Sequence, residues 1–161
     1  MTLKEQIAKH FSDVFFGGNW TSVNLRDTLA DINWEEATTR VFDLNTIATL
    51  VFHMNYYVEN VLKVLKGAPL NASDKLSFNV PAINNEIDWQ KLVDKTFVDA
   101  KLFAEEIKSM EEDKFFKIFI DPKYGDYYRN LHGIVEHTHY HLGQIVLLKK
   151  ILRQKNIKEE E

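Results

Sequence analysis

The sequence predicts an all-α domain built on four main helices, and three observations carry that expectation. Glycine and proline are scarce, six and three in 161 residues. Pro69, Pro81 and Pro122 fall outside the long periodic stretches, where proline would delete a hydrogen bond and clash with the preceding turn. Apolar residues recur at steps of three and four over long segments, the helical rather than the strand period. With 45% hydrophobic residues there is material for one core, so residues 1–161 read as a single domain and a two-domain enzyme is not expected.

The first helix is expected over Leu3 to Phe16, stopping at Gly17-Gly18, a pair suited to left-handed caps. Asn19 to Thr39 is less regular; Asn24 to Leu29 adds a helical turn or two, and Asn33 caps a short turn through Glu36. From Asn45 to Lys66 the positions Ile47, Val51, Met54, Val58, Val61 and Leu65 form the apolar seam of a second main helix, closed by Gly67. Ala68 to Asn85 has two prolines and no sustained period, so it reads as a long crossover loop, a kind that is often functional. A third main helix is expected from Asp88 to Glu112, with Trp89, Leu92, Val93, Phe97, Ala100, Phe103 and Ile107 on one face. Phe115 to Ile120 reads as a brief extended stretch. The fourth helix is expected from Asp126 to Gln154, followed by a charged tail, 155–161, that should fray. The core expected from these faces includes Ile47, Val51, Met54, Phe97, Ile134, Ile145 and Leu148.

Charge and composition remove several function classes. Twenty Lys and Arg against 24 Asp and Glu give a net charge of -4, the wrong sign for a chain whose main partner is a phosphate backbone. The absence of cysteine excludes a disulfide framework, a thiolate metal site and a cysteine nucleophile, so any metal must be held by His, Asp or Glu. The opening MTLKEQIAKHF lacks the apolar stretch of a signal peptide, and no window reaches the roughly 18 apolar residues that span a bilayer. A soluble cytoplasmic protein is expected.

Three of the six histidines fall within His137-Thr138-His139-Tyr140-His141. At about 100° per residue, His137 and His141 lie about 40° apart, while His139 is turned about 200° from His137. Ile134, Ile145, Leu148 and Leu152 share the first face; His132, His139, Lys150 and Arg153 share the opposite one. Two inward imidazoles each bring a donor and an acceptor into an apolar interior, and a divalent metal satisfies both rings at once. His53, among Leu50, Val51, Phe52 and Met54, supplies a third ligand from a facing helix. The competing reading is a surface pair or a set of hydrogen-bonded core histidines. His10, His132 and His139 read as solvated. Thr138 stands where a His-Glu-x-x-His peptidase needs its general base, which argues against that chemistry.

The segment His137-Thr-His-Tyr-His141-Leu-Gly143-Gln144-Ile145, the mid-helix His53 and the stretch Trp20-Thr-Ser-Val-Asn-Leu resemble the DinB/YfiT-like superfamily over nearly the whole chain. The resemblance implies a four-helix bundle of right-handed up-down-down-up course. It also implies a divalent metal site, zinc or nickel, with His53, His137 and His141 as ligands, and pairing into a homodimer. Some members of that superfamily use the metal to activate a low-molecular-weight thiol for S-transfer, bacillithiol and mycothiol transferases among them. Others are described only as damage-inducible proteins.

Three neutral histidines leave coordination positions open, and a metal there lowers the pKa of a water or thiol. Gln144, one turn beyond His141, is a candidate to support the ligands from behind, with helix packing as the alternative role. Tyr56 and Tyr57 either line the pocket or belong to the core, and Trp20 either covers the site or fills the end of the helix assembly. Two functions follow: a metal-dependent thiol S-transferase or hydrolase acting on a small electrophilic or amide-like substrate, or a noncatalytic dimeric bundle that binds metal or a small ligand as sensor or scaffold. The sequence lacks a clear second catalytic group, such as a carboxylate one turn from a ligand on the pocket face, which keeps the second function in play.

Overall fold

The computed structural model describes residues 1–159, with side chains through Gln154. The chain is all-helical among these residues. Six α-helices follow in order: α1 (Leu3–Phe16), α2 (Leu25–Leu29), α3 (Trp34–Thr38), α4 (Ile47–Leu65), α5 (Glu86–Ser109) and α6 (Tyr127–Glu159). The four long ones coincide with the expected helices to within three residues at each end, except that α6 runs past Gln154 to Glu159. Residues 160 and 161 of the expected fraying tail lie outside the described residues.

Side-chain caps set the starts. Thr2 and Glu5 form a reciprocal capping box at α1, Asn24 caps α2, Asn33 and Glu36 box α3, Thr46 caps α4 and Asn85 caps α5. Each places an oxygen on an amide that has no partner within the helix. The end of α1 needs Gly17 and Gly18, whose φ values of 106° and 99° lie where a Cβ is strained. At α6, Asp126 accepts from the backbone N–H of Arg129 at 2.8 Å.

The long helices pack through their apolar stripes: α1 and α4 each contact both α5 and α6. Phe11 lies 4.6 Å from Phe103 and 4.7 Å from Phe15 between ring centroids, and all three are fully buried. Trp89 is likewise buried, and its indole N–H donates to the carbonyl of Ile32 at 2.8 Å. Of the expected core, Ile47, Val51, Met54, Ile134, Ile145 and Leu148 are buried, whereas Phe97 is only partly so.

The short α2 and α3 are tied to α6 by charge. Arg153 bonds Asp31 at 2.7 Å and Glu36 at 2.9 Å, and Lys149 bonds Asp31 as well as the carbonyl of Thr28. The two cations hold the Asp31 carboxyl down to about 2.

One expectation of local structure fails. Instead of an extended stretch over Phe115 to Ile120, Glu112–Phe116 forms a 3-10 turn that buries Phe115, and only Ile118 pairs as an isolated bridge with Asp126. The turn seats Phe115 in the core, and Phe119 is buried beyond it.

Candidate metal centre

α4 contributes His53 and α6 contributes His137 and His141, and the three rings meet. His137 Nε2 is 3.0 Å from His53 Nε2 and 3.1 Å from His141 Nε2. Ring centroids are 4.8, 4.8 and 4.5 Å apart. His53 and His141 are buried, at 6% and 8% exposure, and His137 is half-buried. Burial lowers the pKa of all three; for His137, burial together with the charges of its two neighbours takes it to about 4. All three are therefore neutral at pH 7, the form in which imidazole binds metal.

The remaining ring nitrogens fix the tautomers. His53 Nδ1 lies 2.9 Å from Ser77 Oγ, and the Ser77 hydroxyl donates its own proton to the carbonyl of Asp74 at 2.6 Å. Ser77 Oγ thus accepts from His53 Nδ1–H. His141 Nδ1 lies 2.7 Å from Gln144 Oε1, an acceptor, so it too carries the proton. The Nε2 atoms of His53 and His141 consequently present lone pairs, and both are directed at the one Nε2 of His137. A single N–H there can serve only one of them; a cation serves all three. The donor set suits a divalent metal in kind, with three imidazole nitrogens within 4.8 Å of one another, and the two short separations of 3.0 and 3.1 Å correspond to angles of roughly 90–95° at an ion about 2.1 Å from each nitrogen.

The surroundings restrict access. Phe78 stacks on His53 at 4.0 Å and 19°, Tyr140 meets His141 edge-on, and Tyr57 meets both His53 and His137 edge-on. Beside His137 lies a cavity of about 400 Å³, lined by Tyr57, Asn60, Asp74, Tyr124, Arg129 and Asn130 among others. Tyr57 donates to Asp74, and burial, reinforced by that carboxylate, pushes the phenol up to about 12.

Several sequence expectations are corrected here. Tyr56 does not join Tyr57 at the site: its hydroxyl accepts from the backbone N–H of Ser73 at 2.9 Å, and it borders a different cavity, because one residue along a helix is about 100° of rotation. Trp20 is 99% exposed and neither covers the site nor fills an end. It rides on a turn, Asn19 to Ser22, held by the Asn19 amide bonded to the carbonyl of Val23. His132 and His139 are half-buried rather than solvated, packed edge-on against the exposed His10 from α1, with His139 Nε2 3.2 Å from Asn19 Nδ2. They point away from the centre, as the helical phase requires.

Ser77, Asp74 and Phe78 were not singled out from the sequence. Their one signal was membership of the crossover loop, which reaches the site through a 3-10 turn at Leu76–Phe78. No protein-family model, curated protein or solved structure matches the chain.

Proposed function

We propose that the chain is a divalent-metal-dependent enzyme of the thiol S-transferase or hydrolase kind. His53, His137 and His141 would hold zinc or nickel within a four-helix bundle of the up-down-down-up, DinB-like course. The observation that carries this reading is the convergence of three Nε2 atoms, two with lone pairs fixed by Ser77 and Gln144. The metal, when bound, supplies Lewis acidity that lowers the pKa of a thiol or water. The chain's own residues bind and orient the substrate. The cavity beside His137 suits a small molecule, and Arg129, which spends one guanidinium nitrogen on the carbonyl of Tyr124, offers its remaining donors on the wall. Tyr57 stays a neutral phenol across the physiological range, so it acts there as a hydrogen-bonding group rather than as a base. Ser77 and Gln144 keep the protons on the outer nitrogens of His53 and His141, which leaves the inner ones free. The reading includes a cytoplasmic homodimer; no described helix is long and apolar enough to cross a membrane.

The test begins with elemental analysis of protein purified without chelator or affinity tag, followed by conjugation assays with several cellular thiols. Stoichiometric zinc or nickel is expected, lost in His137→Ala and His141→Ala and retained in His139→Ala. Equal loss in all three variants, or a wild-type chain that takes up no metal on reconstitution, would sink the proposal. Chelation should leave helicity and cooperative unfolding intact with a modest drop in Tm. A chain that unfolds on chelation would instead assign the metal to the fold, and with it the noncatalytic function.

A further inference from the structure

The longest helix, α6, keeps one face uncovered. Glu136, Tyr140, Gly143, Leu147 and Lys150 recur along it at steps of four and three, and all five are exposed. At about 100° per residue they fall within an arc of about 80°, turned away from the face that buries Ile134, Leu142 and Ile145. Tyr140 and Leu147 are 65% and 56% exposed, so this stripe puts apolar surface in water. A cavity borders it on each side. One, of about 590 Å³, is lined by Val23, Val146 and Lys150 among others; the other, of about 310 Å³, by Leu44, Gln144 and Leu147 among others.

Gly143 stands at the centre of the stripe. Glycine within a helix weakens it relative to alanine, and nothing lies within 4 Å of the position its Cβ would take, so no contact inside the chain calls for its absence. Bare backbone at the middle of an exposed stripe lets a second helix come close. The charges say which helix. Glu136 lies seven residues before Gly143 and Lys150 seven after it, and neither has an ion-pair partner among the described residues. Seven residues span about 10.5 Å of helix. When two copies of α6 cross antiparallel at Gly143, Glu136 is therefore level with the partner's Lys150, and Tyr140 with the partner's Leu147. A parallel pair would instead oppose like charges at both places.

We propose that α6 packs antiparallel against α6 of a second copy of this chain, about a two-fold axis at Gly143. The contact is isologous and closes at two subunits. It gives the homodimer of the functional reading its face, and it rests on that part of the reading alone, since no metal enters it. Its place beside the histidine centre follows from the same helix: Tyr140 meets His141 edge-on, Gln144 accepts from His141 Nδ1, and Glu136 lines the cavity next to His137. The second copy thus covers the residues that back His141 and stands at the rim of that cavity.

The experiment is sedimentation equilibrium of the full chain, with metal content measured on the same samples and helicity checked for each variant. The dimer should be populated at about 100 μM. Gly143→Gln, whose side chain has open space in the single chain, should fold and raise the dissociation constant about tenfold or more. Glu136→Lys and Lys150→Glu should each weaken the dimer. The chain carrying both should recover it, because the two ion pairs form again with their signs exchanged. A dimer that tolerates Gly143→Gln, or charge variants that do not recover in combination, would place the contact elsewhere and overturn the face while the homodimer stood. A chain that is monomeric at the same concentration would overturn both and leave the face to a different partner. The metal content tells either failure apart from failure of the histidine centre.

Discussion

Two seams between the long helices solve opposite problems. Between α1 and α5, Phe11, Phe15 and Phe103 bury rings that ask nothing of their neighbours except contact. Between α4 and α6, three imidazoles occupy the equivalent inward positions, and each must be satisfied at both nitrogens. The helices cannot do this alone. One partner comes from α6 itself, Gln144, but the other, Ser77, comes from the crossover loop, and the inner nitrogens face one another. The aromatic seam is therefore self-sufficient, whereas the histidine seam depends on a docked loop and leaves its inner nitrogens facing one another. Stability should reside in the first and binding in the second.

The sharpest way to break this division is to exchange the effects. Phe103→Ala should cost about 3–5 kcal/mol of stability, the range for deleting a buried aromatic side chain, read as a fall in the urea midpoint. Bound metal per folded chain should not change. A cost below that of His137→Ala in the same assay would place the main structural contribution at the wrong seam.

A smaller effect is expected at Ser77, where Ser77→Ala removes the acceptor that holds the proton on His53 Nδ1. Metal affinity should fall by about 10–100-fold, measured by competition with a chelator of known affinity, while folding is little changed. Gln144→Ala should act in the same direction on His141. Unchanged affinity in both variants would mean that the outer bonds do not set the tautomers.

The smallest effect belongs to neither seam. Asp31, held at about 2 by Lys149 and Arg153, has its carboxyl pKa depressed on folding. Such a group contributes stability above its ordinary pKa near 4 and loses that contribution as the pH falls through about 2. Its side chain is 58% exposed, so screening limits the contribution to about 0.2–1 kcal/mol. The difference in urea midpoint between wild type and Asp31→Asn should be present at pH 7 and shrink from pH 4 toward 2. A difference that grows on acidification would reverse the sign and remove the ion pairs as its cause.

Much of this was legible in the sequence, for identifiable reasons. Helical phase separates His137 and His141 from His139 without any knowledge of the fold, and a lone histidine within the apolar run of Leu50 to Met54 marks His53 as inward. Asn33 announces its helix start because a cap's role is local, whereas Asn85, read as the end of the loop, caps α5 two residues ahead of the expected start. Ser77 and Asp74 were not legible as individuals, since nothing in an aperiodic loop tells which hydroxyl will meet a ring 24 residues away. Trp20 failed for a related reason: its size suggested burial, but a local turn decided its direction.

The separation of the ligands along the chain also sets when the centre can exist. His53 precedes His137 by 84 residues, so on a ribosome adding about 5–20 residues per second it waits roughly 4 to 17 s for its partners. During that interval α1, α4 and α5 can already associate around the phenylalanines, and Ser77 can already reach His53. Only the two nitrogens from α6 are missing. On the proposed reading, metal loading would be a closing event of synthesis, since until the last helix arrives the growing chain offers a single histidine at this position, a weak ligand on its own.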